Sequence, residues 1–279
     1  MKRRILAALA AVALGAVVLV AGAAGPATAS PLLVAKHVAL GDSIAAGQGG
    51  GVPLDACART DGGYAAQLDQ APKFNLLRNA GCSGATIADT MAQLEQVNRG
   101  TNVVTLTVGA NDLDLDQVYA ACAAAAAGGD PAPCLAAIQM AVGSAPGIVM
   151  PLSSLIGSVA QRSPNATIVV TGYPHLLAAP PGAPQFAQLA ALVAAVNGAT
   201  DALNAAIQGA VGPAAAGGAN VVFADVVGPV DGHGVQLVPG VPSDPWFGLD
   251  PVGDPAGYLH PTYAGYTAYT DVILDALGR

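Results

Sequence analysis

Charge and aromatic rings are both scarce in this chain. Only 10% of its 279 residues are charged and 4% aromatic, with a single Trp. So few rings argue against a binding module built on stacked aromatics. The abundant Ala and Gly favour small-residue helices packed closely on a sheet. Positive charge is scarcest: ten Lys and Arg against eighteen Asp and Glu give a net charge of −8. An acidic surface repels phosphate backbones, so nucleic acid is not an expected partner. The four cysteines, Cys57, Cys82, Cys122 and Cys134, include no CxxC pair, and no His, Asp and Glu cluster has metal-ligand spacing. A metal is therefore not expected, and no cofactor is required. There is no internal repeat. There is also no GxSxG elbow, which argues against an ordinary α/β-hydrolase.

The first 29 residues have the three parts of a secretory signal peptide: Lys2, Arg3 and Arg4, an apolar run from Ile5 to about Ala24, and the small-residue site Ala27-Thr28-Ala29. An uncleaved anchor is the rival, since the run is long enough to span. Gly25 and Pro26 break it just before the cleavage site and favour removal. Cleavage lowers the net charge to −11 by removing the three cations. No later segment reads as apolar for long enough to cross a bilayer, so no stable membrane anchor is expected. The product is expected outside the cytoplasm, secreted or held in the cell envelope. An even number of cysteines in an exported chain favours two disulfides, with three connectivities open.

Residues 30–279 read as one domain. Strand-like runs occur at His37–Asp42, Phe74–Ala80, Asn102–Val108, Ala166–Gly172 and Asn220–Val227, and the last three are β-branched runs suited to burial on both faces. Helical patterns lie between and after them, at Gly84–Val97, Leu135–Arg162 (broken near Pro146 or Pro151), Pro184–Val211 and Thr262–Leu277. This alternation predicts an α/β fold, a three-layer α/β/α sandwich on a mainly parallel five-stranded sheet. Gly228–Gly257, rich in Pro, Gly and Asp, reads as a long loop.

Open parallel sheets bind ligands at the carboxyl ends of their strands. The polar residues there are Gly41-Asp42-Ser43, Gly81-Cys82-Ser83-Gly84, Gly109-Ala110-Asn111-Asp112 and, before the last helix, His260-Pro261-Thr262. A serine at a strand exit serves as a helix cap or as a nucleophile. A nucleophilic serine needs a base within reach, and the carbonyl it attacks needs donors for its oxyanion. Asp42 and Asp112 are read as turn braces, His37 as structural, His175 as a residue near the rim, within reach of substrate but not assigned to it, and His233 as solvated. Ser83 is the rival nucleophile.

The four blocks GDS, GCSGAT, GAND and LHPT, in this order, resemble those of the SGNH or GDSL-type hydrolases, and most of all its secreted bacterial lipases and esterases. The resemblance implies a flavodoxin-like fold and a cofactor-free serine ester hydrolase. Ser43 is then the nucleophile, His260 the base, and Ser43, Gly84 and Asn111 the oxyanion hole. It also implies the pairings Cys57–Cys82 and Cys122–Cys134. One position departs from the pattern: where many members place an Asp three residues before the histidine, this chain has Gly257. Either the Gly257 carbonyl or Asp254 is then expected to orient His260. The implied substrate is a lipid or another acylated small molecule, handled by a monomer. Carbohydrate O-acetylesterase and catalytically silent envelope-binding protein are the alternatives. Trp246, Phe247 and Tyr258 in the long loop suit an apolar groove or a sugar cleft equally.

Overall fold

Parallel neighbours cannot be joined by tight turns, and between successive strands this chain places at least one helix. The structure, a computed structural model, describes residues 34–279; the expected leader lies outside the described residues. Strands β1 (Ala35–Gly41), β2 (Phe74–Asn79), β3 (Val103–Thr107), β4 (Thr167–Thr171) and β5 (Val221–Ala224) form one sheet in the order β2-β1-β3-β4-β5, and every pair is parallel. The helices are α1 (Ser43–Ala46), α2 (Tyr64–Gln70), α3 (Ile87–Gln93), α4 (Leu115–Ala126), α5 (Ala132–Ser144), α6 (Val149–Arg162), α7 (Ala187–Ala216), α8 (Val227–Val230) and α9 (Tyr263–Ala276). Helices α2 and α9 pack together on one side. Helices α3, α6 and α7 form the other layer, with α4 and α5 laid on α7.

The central strands are the apolar ones. All of β3 is buried, as are Val38, Ala39 and Leu40 of β1 and Ile168, Val169 and Val170 of β4. On the helices, Leu152, Leu155 and Ile156 of α6 and Leu203 and Ile207 of α7 are fully enclosed. Tyr64, Tyr266 and Tyr269 join α2 to α9, with the Tyr64 and Tyr269 rings stacked at 5.7 Å. Each buried hydroxyl has a partner: Thr107 for Tyr64, the Gln48 carbonyl for Tyr266 and the Gly172 carbonyl for Tyr269.

Three expectations need correcting. Strand β5 is shorter than Asn220–Val227 and only half-buried, because it is an edge strand covered less fully than the centre. Helices α2 and α4 are not among the helices the sequence pattern predicts: α2 is only seven residues long, and α4 is half Ala, with Leu115, Val118 and Cys122 on its buried face. By length and composition alone, the helical stretches Ala132–Arg162 and Pro184–Ala216 are apolar enough to cross a membrane, contrary to the reading of the sequence. Each carries a single charged residue, Arg162 or Asp201, and many Leu, Ile and Val side chains, among them core residues such as Leu155 and Leu203. The first stretch is broken at Ala145–Ile148 by a tight turn of helix containing Pro146.

Candidate active site

Ser43 stands where β1 ends. Asp42 has extended dihedrals, and its Oδ1 accepts from the Ile44 N–H at 2.9 Å, so the carboxylate caps α1 and leaves the Ser43 hydroxyl uncommitted to that role. Asp42 is itself buried, and its other oxygen accepts from the Tyr173 hydroxyl. That hydroxyl also accepts from the Ala110 N–H at 3.4 Å. One phenol thus ties the chain just before Ser43 to the chain just before Asn111.

Asn111 follows β3 and opens a short tight helical turn. Its Nδ2 donates to the Ala85 carbonyl at 2.9 Å, which uses one amide hydrogen and leaves the other. Asp112 accepts from the Ile87 N–H at 3.0 Å, so it braces the second block against the third. Gly84 lies beside Ala85 with φ of 78°, a left-handed conformation that suits glycine, and is exposed. A Cβ at Gly84 meets nothing within 4 Å, so this backbone is open. The segment is held to the end of β1 by Cys82 N–H to the Gly41 carbonyl, and to the loop before α2 by the Cys57–Cys82 disulfide and by Ser83 N–H to the Cys57 carbonyl. The second disulfide, Cys122–Cys134, joins α4 to α5.

His260 is carried by a loop folded back on itself. Gly248 donates to the His260 carbonyl and Leu259 donates to the Gly248 carbonyl, both at 2.9 Å, and Thr262 donates to the Trp246 carbonyl at 2.8 Å. Leu259 adopts φ of 58°, a strained conformation for a branched side chain, and turns the chain so that His260 Nδ1 lies 3.0 Å from the Tyr258 carbonyl. Neither expected orienting group takes that place. The Gly257 carbonyl instead accepts from the His260 backbone N–H at 3.0 Å, and Asp254 Oδ1 accepts from the Gly257 N–H at 2.9 Å. Both groups are used to shape the turn. Because a carbonyl only accepts, Nδ1 carries the proton and Nε2 the lone pair. Burial pulls the His260 pKa below its usual 6.5, against opposing contributions from the Tyr258 carbonyl, Asp116 and Asp254. The imidazole is therefore neutral at pH 7, as a general base must be.

Ser43, Asn111 and His260 come together on the wall of one cavity of about 320 Å³. Its other walls are mainly apolar, among them Ile44, Leu115, Tyr119, Leu176 and Phe247. A second apolar cavity of about 250 Å³ shares Tyr119, Leu176, Tyr258 and Leu259 with the first and extends to Leu192 and Val196 on α7. Gly84 does not line either. His175 pairs with Asp201 at 2.7 Å and lies outside both cavities. His233 is not simply solvated: it stacks on Trp246 at 3.5 Å. Ser83 is exposed and away from the cavities. The sequence does not point to the Tyr258 carbonyl as the acceptor that orients His260, nor to Asp116 and Gln48, which also stand near the ring. A lone long polar side chain in the glycine run 47–51 was the available signal for Gln48.

Two buried titrating groups sit along β1. Desolvation pushes His37 down to about 3 from 6.5 and Asp42 up to about 7 from 3.8. The signs oppose. A depressed histidine contributes stability present above 6.5 and lost as pH falls toward 3. A raised aspartate contributes stability present below 3.8 and lost as pH rises toward 7. Between these limits folding moves one proton from His37 to Asp42, and the two slopes cancel. The pair is expected to leave unfolding free energy nearly flat from about pH 4 to 6.5. Asp42→Asn is expected to unmask a loss of stability toward acid, and His37→Gln a loss toward pH 7. Urea midpoints measured across this range check both.

Residues 39–268 match the family model described as GDSL-like lipase/acylhydrolase. A lipase of Streptomyces rimosus is 31% identical over 159 residues, covering 55% of this chain and 58% of that one. The matched region thus spans less than two thirds of that relative's length. Lipase 2 of Streptomyces coelicolor is 29% identical over 278 residues, covering 91% of this chain and 89% of the relative. Among solved structures, the extracellular lipase of Streptomyces rimosus superposes with a TM-score of 0.69 at 30% identity, covering 86% of this chain and 99% of that one. Phospholipase A1 of Streptomyces albidoflavus NA297 gives 0.70 at 28%, covering 87% and 99%.

Proposed function

The chain belongs to the GDSL-like lipase/acylhydrolase family, and from that premise we propose that it is a secreted lipase or carboxylesterase that works through a serine nucleophile. Ser43 Oγ attacks the ester carbonyl while His260 Nε2 takes its proton. The oxyanion is met by the Ser43 and Gly84 backbone N–H groups and the free Asn111 amide hydrogen. Collapse expels the alcohol, which recovers the proton from His260 and leaves an acyl group on Ser43. Water, deprotonated by the same nitrogen, then releases the acid. No carboxylate completes a triad in this scheme, and the Tyr258 carbonyl alone fixes the tautomer.

The observation that carries the reading is the meeting of Ser43, Asn111 and His260, from three distant segments, on one apolar cavity wall. The adjoining second apolar cavity favours a long acyl chain over acetate. A carbohydrate O-acetylesterase needs a shallow polar cleft, which these walls do not resemble. Export is supported by the leader pattern in the sequence and by the two disulfides.

Hydrolysis of p-nitrophenyl esters from acetate to palmitate tests the reading. kcat/KM is expected to rise with chain length beyond butyrate, and its acid limb to have a midpoint below pH 6.5, because His260 must be neutral to act. Activity confined to acetate supports the acetylesterase instead. No hydrolysis of any member supports the silent binding protein.

A further inference from the structure

Gln48 is the one long side chain between Gly47 and Gly51, yet only 9% of it is exposed. Its backbone is fixed at both ends: the N–H donates to the Ser43 carbonyl at 3.0 Å, and the carbonyl accepts from the Tyr266 hydroxyl at 2.7 Å. Its side chain crosses from the nucleophile segment to the histidine loop. There Nε2 donates to the Ala256 carbonyl at 2.7 Å and lies 3.5 Å from His260 Nδ1. Oε1 is buried with no partner. A folded chain rarely leaves a buried acceptor unmet, and such an exception asks for a functional reason.

The reason lies in what Nδ1 can bond. Its two polar neighbours are the Tyr258 carbonyl and the Gln48 amide group. The carbonyl only accepts and the amide nitrogen only donates. The carboxamide cannot turn over without setting Oε1 against the Ala256 carbonyl, acceptor against acceptor. We propose that Gln48 is a positioning residue for His260, an inference that rests on His260 being the general base. Its amide clamps the Ala256–Tyr258 turn, which holds the Tyr258 carbonyl 3.0 Å from Nδ1, closer than the amide's own 3.5 Å contact with that nitrogen. Nε2 then stays the basic nitrogen through each turnover. Gly49 supports the same contact from behind, since a Cβ there would lie 2.9 Å from His260 Cβ.

The charged groups acting on His260 are Asp116 from α4 and Asp254 from its own loop, with the Tyr258 carbonyl adding a third pull toward the charged form. Gln48 approaches from another side and contributes no charge. A carboxylate at position 48 adds one at close range and offers Nδ1 a second acceptor.

Two variants and two readouts decide the matter. The His260 ring is titrated by NMR in a Ser43→Ala background, where no turnover is needed, with and without Gln48→Glu. Gln48→Glu is expected to raise the His260 midpoint by about one pH unit or more, and to move the acid limb of kcat the same way in the Ser43 enzyme. Gln48→Met, similar in volume but without the clamp, is expected to lower kcat on the order of 10- to 100-fold with KM changed less than about threefold. Tm is recorded for each variant. An unmoved His260 midpoint in Gln48→Glu, or a wild-type kcat in Gln48→Met, overturns the proposal. If the parent enzyme hydrolyses no ester, the general-base reading fails by itself, and the NMR titration still tells whether Gln48 governs the ring.

Discussion

Replacing Ser43 by alanine is expected to lower kcat for ester hydrolysis by about 10⁴- to 10⁶-fold, the range found when a nucleophile that acts as a unit with its base is removed. What persists comes from the oxyanion donors and from substrate binding. The fold should be indifferent to the change. Asp42, not Ser43, caps α1, so Tm is expected to move by no more than a few degrees. The measurement pairs kcat on the preferred p-nitrophenyl ester with a thermal melt. A folded Ser43→Ala protein that keeps its activity would move the nucleophile elsewhere, with Ser83 next to be tested. The alcohol leaving group should not matter to the fold-change, because the acyl-enzyme forms through the same oxygen whichever alcohol departs.

Gly41→Ala is expected to have the largest effect on folding of any single substitution considered, more than about 4 kcal/mol. Gly41 has φ of 130°, and a Cβ on it would lie 1.8 Å from the Thr107 carbonyl oxygen on the neighbouring central strand. Nothing flexible stands there to give way. The Gly41 N–H and carbonyl are both held by the Gln93 carboxamide at 2.8 Å, and the next N–H, of Asp42, donates to that same Thr107 oxygen at 3.0 Å. Relief would need β1 and β3 to part next to Ser43. Soluble yield and the urea midpoint are the readouts, with Gly84→Ala as the comparison. Gly84 also has positive φ but faces open space, so its cost is limited to about 1–2 kcal/mol of left-handed strain. Equal midpoints for the two variants would show that the β1–β3 contact tolerates more separation than close packing implies.

The strands were legible because their chemistry is local. Val103–Thr107 and Thr167–Thr171 are β-branched runs bounded by turn residues, and each was placed to within a residue at either end. The helix break was expected near Pro146 or Pro151, and it falls at Pro146. Helix α4 was not legible: six of its twelve residues are Ala, and only Leu115, Val118 and Cys122 mark its buried face. In the site, Ser43, Asn111 and His260, the residues the family resemblance points to, line one cavity. The Tyr258 carbonyl was not legible, since any residue offers a carbonyl there. What selects Tyr258 is the left-handed turn at Leu259, which residue identity does not announce. Gly257 and Asp254 were the choices the family resemblance implied, and both are absorbed in building that turn.

The parallel order of the sheet also governs how this chain reaches its folded form. His37 pairs with Val103, and Val103 with Thr167, so every ladder joins residues many dozens of positions apart. Such non-local contacts must be found against the entropy of closing long loops, which places folding toward the slow end for a domain of mixed structure. The two covalent links do not share that delay equally. Cys122 and Cys134 are 12 residues apart on adjacent helices and can meet before any strand has paired. Cys57 and Cys82, 25 apart, lie on either side of β2 and come into register when β1 and β2 align. Oxidative refolding should therefore proceed through a species that holds the Cys122–Cys134 link alone, an α4–α5 hairpin already closed while Ser43 still waits for its sheet.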